Sequence, residues 1–219
     1  MRRSSSTRRT YDVIIVGMGP AGASAALELS LAGLSVLALE KETHPRYKVC
    51  GGGLSARIAS FLPEDFSITV ERIVSRVHFL YGCAEPFVIE QSCPIAYMVM
   101  RDTFDRWLVE KARQAGAVIR EEEPVESLQV ESSGVEIVSA RERYEGQVLI
   151  GADGATGVVA RQVFPHRRRR TIPAVEGELA LDDAIDARTG ETAVIRLSAV
   201  KKGVWMDFSQ ERRAIHRGR

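Results

Sequence analysis

The chain has 219 residues, enough for one large domain or one and a half. Hydrophobic content of 45% and charged content of 27% are ordinary for a soluble globular protein, and a net charge of +1 gives no footing for nucleic-acid binding. No run of 18 apolar residues occurs, which excludes a transmembrane helix, and three cysteines without metal spacing fit a reducing cytosol.

Residues 1–10 are basic and Ser-rich, with Arg2, Arg3, Arg8 and Arg9, and lack the apolar core of a secretory signal. A short disordered arm is expected, with the tail of an organellar transit peptide as the alternative. Residues 13–16 form a β-branched run suited to a strand buried on both faces. Gly17, Gly19 and Gly22 follow at G-x-G-x-x-G spacing, with Pro20 and Ala21 inside the motif. Residues 23–32 have helical composition, and Gly33 ends that helix as a C-cap. Val36–Leu39 is the next buried strand, with Glu40 at its carboxyl end and Lys41 after it. Strand, glycines, helix, strand and acid fall in dinucleotide-binding order. Gly17 permits the tight turn, Gly19 lets a pyrophosphate approach the backbone, and Gly22 lets helix pack on strand. The N–H groups and dipole at the helix start favour the phosphate charge. Glu40, 18 residues after Gly22, is placed to accept from ribose hydroxyls. It would repel a 2′-phosphate, so NADP is not expected in this site. A Gly-rich turn with no ligand is the plain alternative, and the order of the five features weighs against it.

Pro45, Arg46, Tyr47, Lys48, Val49, Cys50, Gly51, Gly52 and Gly53 follow. Three glycines after a cysteine fit backbone held against a flat ligand with no side chains between. The stretch resembles the geranylgeranyl reductase family of FAD-dependent oxidoreductases. That family's Pro-x-x-Tyr-x-x-Cys-Gly-Gly motif is matched in residue type by Pro45, Tyr47, Cys50, Gly51 and Gly52, with one residue rather than two between Pro45 and Tyr47. The resemblance spans about residues 11–202. It implies an α/β fold: a Rossmann-type FAD-binding domain with a parallel sheet, plus part of an antiparallel β substrate domain. Residues 11–72 and 94–165 are expected to form the first, and 73–93 with 166–202 the second.

Residues 54–62 read as a helix stopped by Pro63. Residues 73–81 and 86–90 read as strands of a second layer joined through 82–85, and 96–100 as another strand. Arg101–Gln114 is a predicted helix with Phe104, Leu108 and Ala112 on one face and Asp102 or Thr103 as cap. Its start resembles the family's Arg-x-x-Phe-Asp-x-x-Leu segment, which implies that Arg101 reaches FAD. A surface ion pair is the alternative, but arginine at a helix start opposes the dipole. Residues 116–119 are the returning strand, and Glu121, Glu122 and Glu123 read as a solvated turn. Residues 125–130 and 135–138 form a predicted hairpin, and the resemblance gives Val125 a backbone contact with adenine.

Residues 148–150 are a buried strand running into Gly151, Ala152, Asp153 and Gly154, with a helix from Val158. This resembles the Asp-Gly motif of flavin hydroxylases and geranylgeranyl reductases. It implies that Asp153 and Gly154 help hold the dinucleotide and shape the path of the nicotinamide donor. An N-cap role for Asp153 is compatible with that. The four arginines at 167–170 read as a solvated connection, with phosphate or anionic-membrane contact as the alternative. Residues 174–182 and 192–200 return to strand pattern. His44, His78, His166 and His216 show no ligand spacing, and no metal is expected.

Residues 203–219 lose periodicity and turn basic. At this point the family carries Tyr-Gly-Trp-x-Phe-Pro, and later a Gly-Asp segment. A one-base shift at the codons for Trp205, Met206 and Asp207 forces Gly-Trp and permits Tyr-Gly-Trp-Ile-Phe-Pro. The expectation is a frameshift near Gly203 that truncates a longer reductase and leaves Trp205 onward without a role. A natural short product with a disordered basic tail is the alternative.

The activity that the resemblance implies is reduction of isolated C=C bonds in a polyprenyl chain, on a chlorophyll, isoprenoid lipid or quinone precursor. FAD carries the hydride chemistry and NAD(P)H is the co-substrate. One alkene carbon takes hydride; the other needs a proton, for which Cys50 is a candidate by position, beside water or another residue. A long greasy substrate calls for an apolar tunnel between the sheet layers and access from a membrane surface; the expected location is cytoplasmic, peripheral at a membrane. The oligomeric state stays open. Two other readings are kept. A flavin-dependent monooxygenase or halogenase of the same superfamily is one; the Cys-Gly-Gly element and the lack of Gly-Trp-x-Trp-x-Ile weigh against it. An inactive truncated product with an incomplete FAD site is the other.

Overall fold

The computed structural model describes residues 9–81, 85, 87–167, 171–172, 174–177, 190–197 and 204–207. The chain divides into two units, Met1–Arg46 with Asp105–Pro173 and Tyr47–Phe104 with Ala174–Arg219. The first unit opens with strand β1 (Arg9–Val16), helix α1 (Pro20–Leu31) and strand β2 (Val36–Leu39). Residues 13–16 and all of β2 are buried, as their unbroken apolar runs require. Gly22, Ala23, Ala26 and Leu27 are the buried face of α1, and its small residues let helix approach strand. Gly33, at φ +84°, takes the left-handed position after the helix.

The second unit departs from expectation at its start. Residues 54–62 do not form an α-helix. They give strand β3 (Gly53–Ser55) and a 3₁₀ segment, Ala56–Phe61, in which no residue is buried; a second 3₁₀ segment covers Glu64–Thr69. Without a buried face, nothing holds six residues in an α-helix. The strand expected over 73–81 is two strands, β4 (Val70–Val74) and β5 (Arg76–Tyr81), broken at Ser75. There the backbone N–H groups of Ser75 and Arg76 donate to the Glu191 carbonyl, and Ser75 Oγ donates to Glu191 Oε2 at 2.6 Å. Strands β6 (Phe87–Glu90) and β7 (Ala96–Val99) follow.

Helix α2 (Arg101–Gln114) keeps its expected bounds and contains the boundary between the units. Asp102 is in its first turn rather than ahead of it, and Asp102 Oδ1 accepts from Thr103 N–H at 2.7 Å. Strands β8 (Val118–Arg120), β9 (Val125–Glu131), β10 (Gly134–Ser139) and β11 (Arg143–Gly151) precede helix α3 (Val158–Val163). The first unit's sheet has the order β8-β2-β1-β11-β10-β9. Its β8, β2, β1 and β11 are mutually parallel, while β10 runs antiparallel to both β11 and β9. Ile14, Leu37, Leu39, Val135, Ile137 and Tyr144 form its core.

Strands β12 (Thr192–Leu197) and β13 (Val204–Asp207) return to the second unit. Its sheets have the orders β13-β12-β5-β6 and β3-β7-β4, with a core of Val74, Val77, Met98 and Ala193. Residues 47–72 and 94–104 therefore go with that unit, not with the nucleotide sheet as expected, because β3, β4 and β7 pair with one another. Residues 204–207, read as the start of an out-of-frame or disordered tail, pair antiparallel with β12; Val204, Trp205 and Met206 suit a strand. Residues 174–177 carry no strand. The expectations for residues 1–8, 82–84, 168–170, 178–182, 198–203 and 208–219 lie outside the described residues.

Candidate nucleotide-binding site

The glycine turn between β1 and α1 is built around close backbone contacts. Gly17 has φ +96°, and its N–H donates to the Leu39 carbonyl at 2.8 Å. A Cβ there would sit 2.6 Å from the Ala152 carbonyl oxygen and 2.7 Å from Asp153 Cα. A Cβ at Gly22 would overlap the Gly17 carbonyl oxygen. The two glycine-rich motifs of the sequence, 17–22 and 151–154, thus meet at the carboxyl ends of adjacent strands. Gly19 differs: its open side meets only Arg46 Nη2, 3.6 Å from where a Cβ would stand. Gly19 is the N-cap of α1, with Pro20 next; no side chain caps the helix, and its first turn holds no acid. Ala21 is exposed beside it. This uncapped, positive helix end, with glycine where a side chain would block approach, fits a diphosphate.

Glu40 is 5% exposed at the end of β2. Its Oε2 accepts from Met18 N–H at 2.6 Å and its Oε1 from Glu42 N–H at 3.1 Å. The carboxylate brackets the turn to the loop after β2, and each oxygen keeps a lone pair for a ribose hydroxyl. Lys41 is exposed and pairs with Glu42 at 3.5 Å. Asp153 is not the N-cap residue of α3, which is Gly157, but its Oδ2 accepts from Val159 N–H in the first turn at 3.0 Å, and Gly157 leaves room for that carboxylate. Gly154 follows at φ +83°. Val125 opens β9, half-buried against the sheet core.

Sequence reasoning missed several polar groups around this turn. Arg46, 12% exposed, lies 3.6 Å from the fully buried Asp105 of α2 and 3.8 Å from Glu42. His44 donates its backbone N–H to Glu121 Oε1 at 2.8 Å, and its Nδ1 lies 2.9 Å from the same oxygen. Arg113 Nη2 is 3.3 Å from Glu121 Oε2. Burial raises the Glu121 carboxyl, but the two His44 hydrogen bonds, with the His44 and Arg113 charges, outweigh it and hold the group below the ordinary glutamate range. The glutamate run is not a solvated turn throughout. Glu123 is buried; its Oε1 accepts from Ser139 Oγ at 2.6 Å and Tyr144 O–H at 2.7 Å, and its N–H donates to the Glu40 carbonyl. Burial, then the bond to Glu123, pushes the Tyr144 hydroxyl well above its usual value. Only the spacing of these glutamates to β8 could have marked them, since their partners lie far off in sequence.

A separate cleft of about 500 Å³ lies between α3 and strands β9 to β11, with Val130, Val148, Asp153, Val159 and Phe164 in its wall. Asp153 and Gly154 belong to this cleft; Gly17, Gly19 and Gly22 do not.

In the second unit, Cys50 is exposed, and its N–H donates to Glu176 Oε2 at 2.5 Å. Gly52 has φ +69°, and its carbonyl accepts from Val99 N–H at 3.0 Å. Gly53 opens β3 opposite Met98 of β7. The Cys-Gly-Gly-Gly strip therefore runs beside the end of β7, from which α2 and Arg101 start. Gly51 and Gly53 are exposed, and Gly52 between them is buried. Among the described residues, no group of three His, Cys, Asp or Glu could hold a metal, and no helix is long and apolar enough to cross a membrane.

Comparison with known proteins gives the same picture. Residues 10–198 match the family described as FAD binding domain. The chain is 35% identical over 162 residues to the geranylgeranyl diphosphate reductase of Rhodobacter capsulatus, covering 70% of this chain and 40% of that protein. A geranylgeranyl bacteriochlorophyll reductase-like protein of Thermoplasma acidophilum superposes with a TM-score of 0.71 at 22% identity, over 93% of this chain and 54% of that one. The halogenase PltM in complex with phloroglucinol and FAD superposes with a TM-score of 0.60 at 24% identity, over 70% and 36%. The chain spans about 40% of the length of the curated relatives it matches.

Proposed function

The chain belongs to the FAD binding domain family, and on that premise we propose that it is part of a reductase acting on isolated C=C bonds of a polyprenyl chain, with NAD(P)H as donor. The observation that carries this reading is the Cys50, Gly51, Gly52, Gly53 stretch beside β7, with Gly51 and Gly53 exposed, resembling the reductases' Cys-Gly-Gly element. The identity to the Rhodobacter protein supports it. FAD, when bound, supplies hydride transfer. The turn at Gly17, Gly19, Pro20, Ala21 and Gly22 holds the diphosphate. Glu40 accepts from the adenosine ribose and excludes a 2′-phosphate, with Lys41 and Val125 bordering the adenosine. The resemblance assigns Asp153 and Gly154 to the dinucleotide, and Arg101 with Gly51, Gly52 and Gly53 to the flavin. The Cys50 thiol is the candidate donor of the proton for the second alkene carbon, with water or another residue as the alternative. Such a substrate is presented at a membrane surface.

Anaerobic incubation of the protein with FAD, NADPH and geranylgeranyl diphosphate tests this. Mass spectrometry of the prenyl product should show added hydrogen and no oxygen, more slowly with Cys50→Ala if Cys50 donates the proton. The second reading, a flavin-dependent monooxygenase or halogenase, draws on the likeness to PltM. NADPH oxidation that depends on oxygen uptake, with no hydrogen gained by the prenyl chain, would replace the first reading with the second.

A further inference from the structure

Among the described residues, Arg46 is the side chain at the open side of Gly19, with Nη2 3.6 Å from the position of a Cβ there. A cation beside an uncapped helix N-terminus is electrostatically unfavourable on its own. Two carboxylates hold it in that place. Asp105 on α2 is wholly buried, with Oδ2 3.6 Å from Nη2, and Glu42 Oε2 is 3.8 Å from Nε. Both distances exceed the roughly 2.7–3.2 Å of an N–H···O hydrogen bond. Charge fixes the guanidinium in position while neither contact is a short hydrogen bond. A doubly charged phosphate group placed over Gly19 would lie between two positive features, the helix end and the guanidinium. The planar fork of arginine matches phosphate oxygens in a way lysine does not.

We propose that Arg46 is the side-chain ligand of the FAD diphosphate and that Asp105 is its positioning residue. The proposal rests on the FAD reading. The His44–Glu121 hydrogen bonds fix the same loop from its other side, so the guanidinium is carried by an anchored segment.

The test is titration calorimetry of the full chain with three probes: FAD, ADP and adenosine. Arg46→Lys keeps the charge that Asp105 needs and removes the fork. The double change Arg46→Met with Asp105→Asn removes both charges, so no carboxylate is left buried alone. Each should weaken FAD and ADP, by about 10- to 100-fold for the double variant, the range for a charge-assisted hydrogen bond. Adenosine should bind as in the wild type. The salt dependence of ADP binding should flatten in the double variant and persist in Arg46→Lys. Equal losses for ADP and adenosine would mean a collapsed loop and overturn the proposal, as would unchanged FAD and ADP affinity. If the wild-type chain binds neither FAD nor ADP, the FAD reading itself falls and takes this one with it. If the double variant does not fold, Arg46→Lys alone decides.

Discussion

A methyl group at Gly22 would overlap the carbonyl oxygen of Gly17, and neither atom belongs to a flexible side chain. Gly22→Ala should therefore cost about 1–3 kcal/mol, the range for overpacking a closed contact. Urea unfolding measures it, and the same variant should lose bound flavin. Glu121 gives a pH prediction. Its folded carboxyl is held low by His44 and Arg113 against the opposing effect of burial. A depressed folded value means the contribution is complete above the unfolded value and disappears as pH falls through the folded one. Wild type should exceed Glu121→Gln in stability near neutrality, and the two unfolding curves should converge in acid. A gap that widens with acid would reverse the assigned sign. The glycines and Glu40 were legible because their roles are written in local spacing. Arg46, Asp105 and Glu123 were not, because each role depends on a partner from a distant segment.

At the scale of elements, α2 and β2 could be read residue for residue. Phe104, Leu108 and Ala112 recur at helical spacing, and all three are buried. The four residues of β2 form an unbroken apolar run. The segment after Gly53 misled because its composition is helical while its apolar groups face outward; Phe61 is 76% exposed. The break at Ser75 was invisible because its cause, Glu191, is 116 residues away. Asp153 shows one side chain serving two levels at once. It caps α3 through Val159 N–H and stands at the junction of both glycine motifs. Asp153→Asn keeps a capping oxygen and removes the charge, whereas Asp153→Ala removes both. The alanine variant should lose about 1 kcal/mol, and the asparagine variant only a few tenths. If FAD affinity falls equally in both, the charge matters to the nucleotide; if it falls only in the alanine variant, Asp153 acts through the cap.

For the whole molecule, two separate cores make the deciding feature. Ile14, Leu37 and Ile137 lie in one, Val74, Val77 and Met98 in the other, and the chain passes between the units at 46–47, 104–105 and 173–174. Cooperative openings follow contiguous packed regions, so each core is expected to open by itself. A nucleotide bound to the glycine turn stabilises only the openings that destroy the turn. At about 100 times its Kd, ADP adds roughly 2.7 kcal/mol to those openings. Hydrogen exchange with and without ADP reads this directly. Amides of β1, β2 and β11 should slow by about 100-fold at that concentration, while those of β5, β6 and β12 keep their rates. The turn ties the carboxyl ends of the parallel strands together, since Gly17 N–H bonds to Leu39 and Ala152 N–H to Val16. Equal slowing in both sheets would mean that the two cores open as one, and that a single free energy describes the chain.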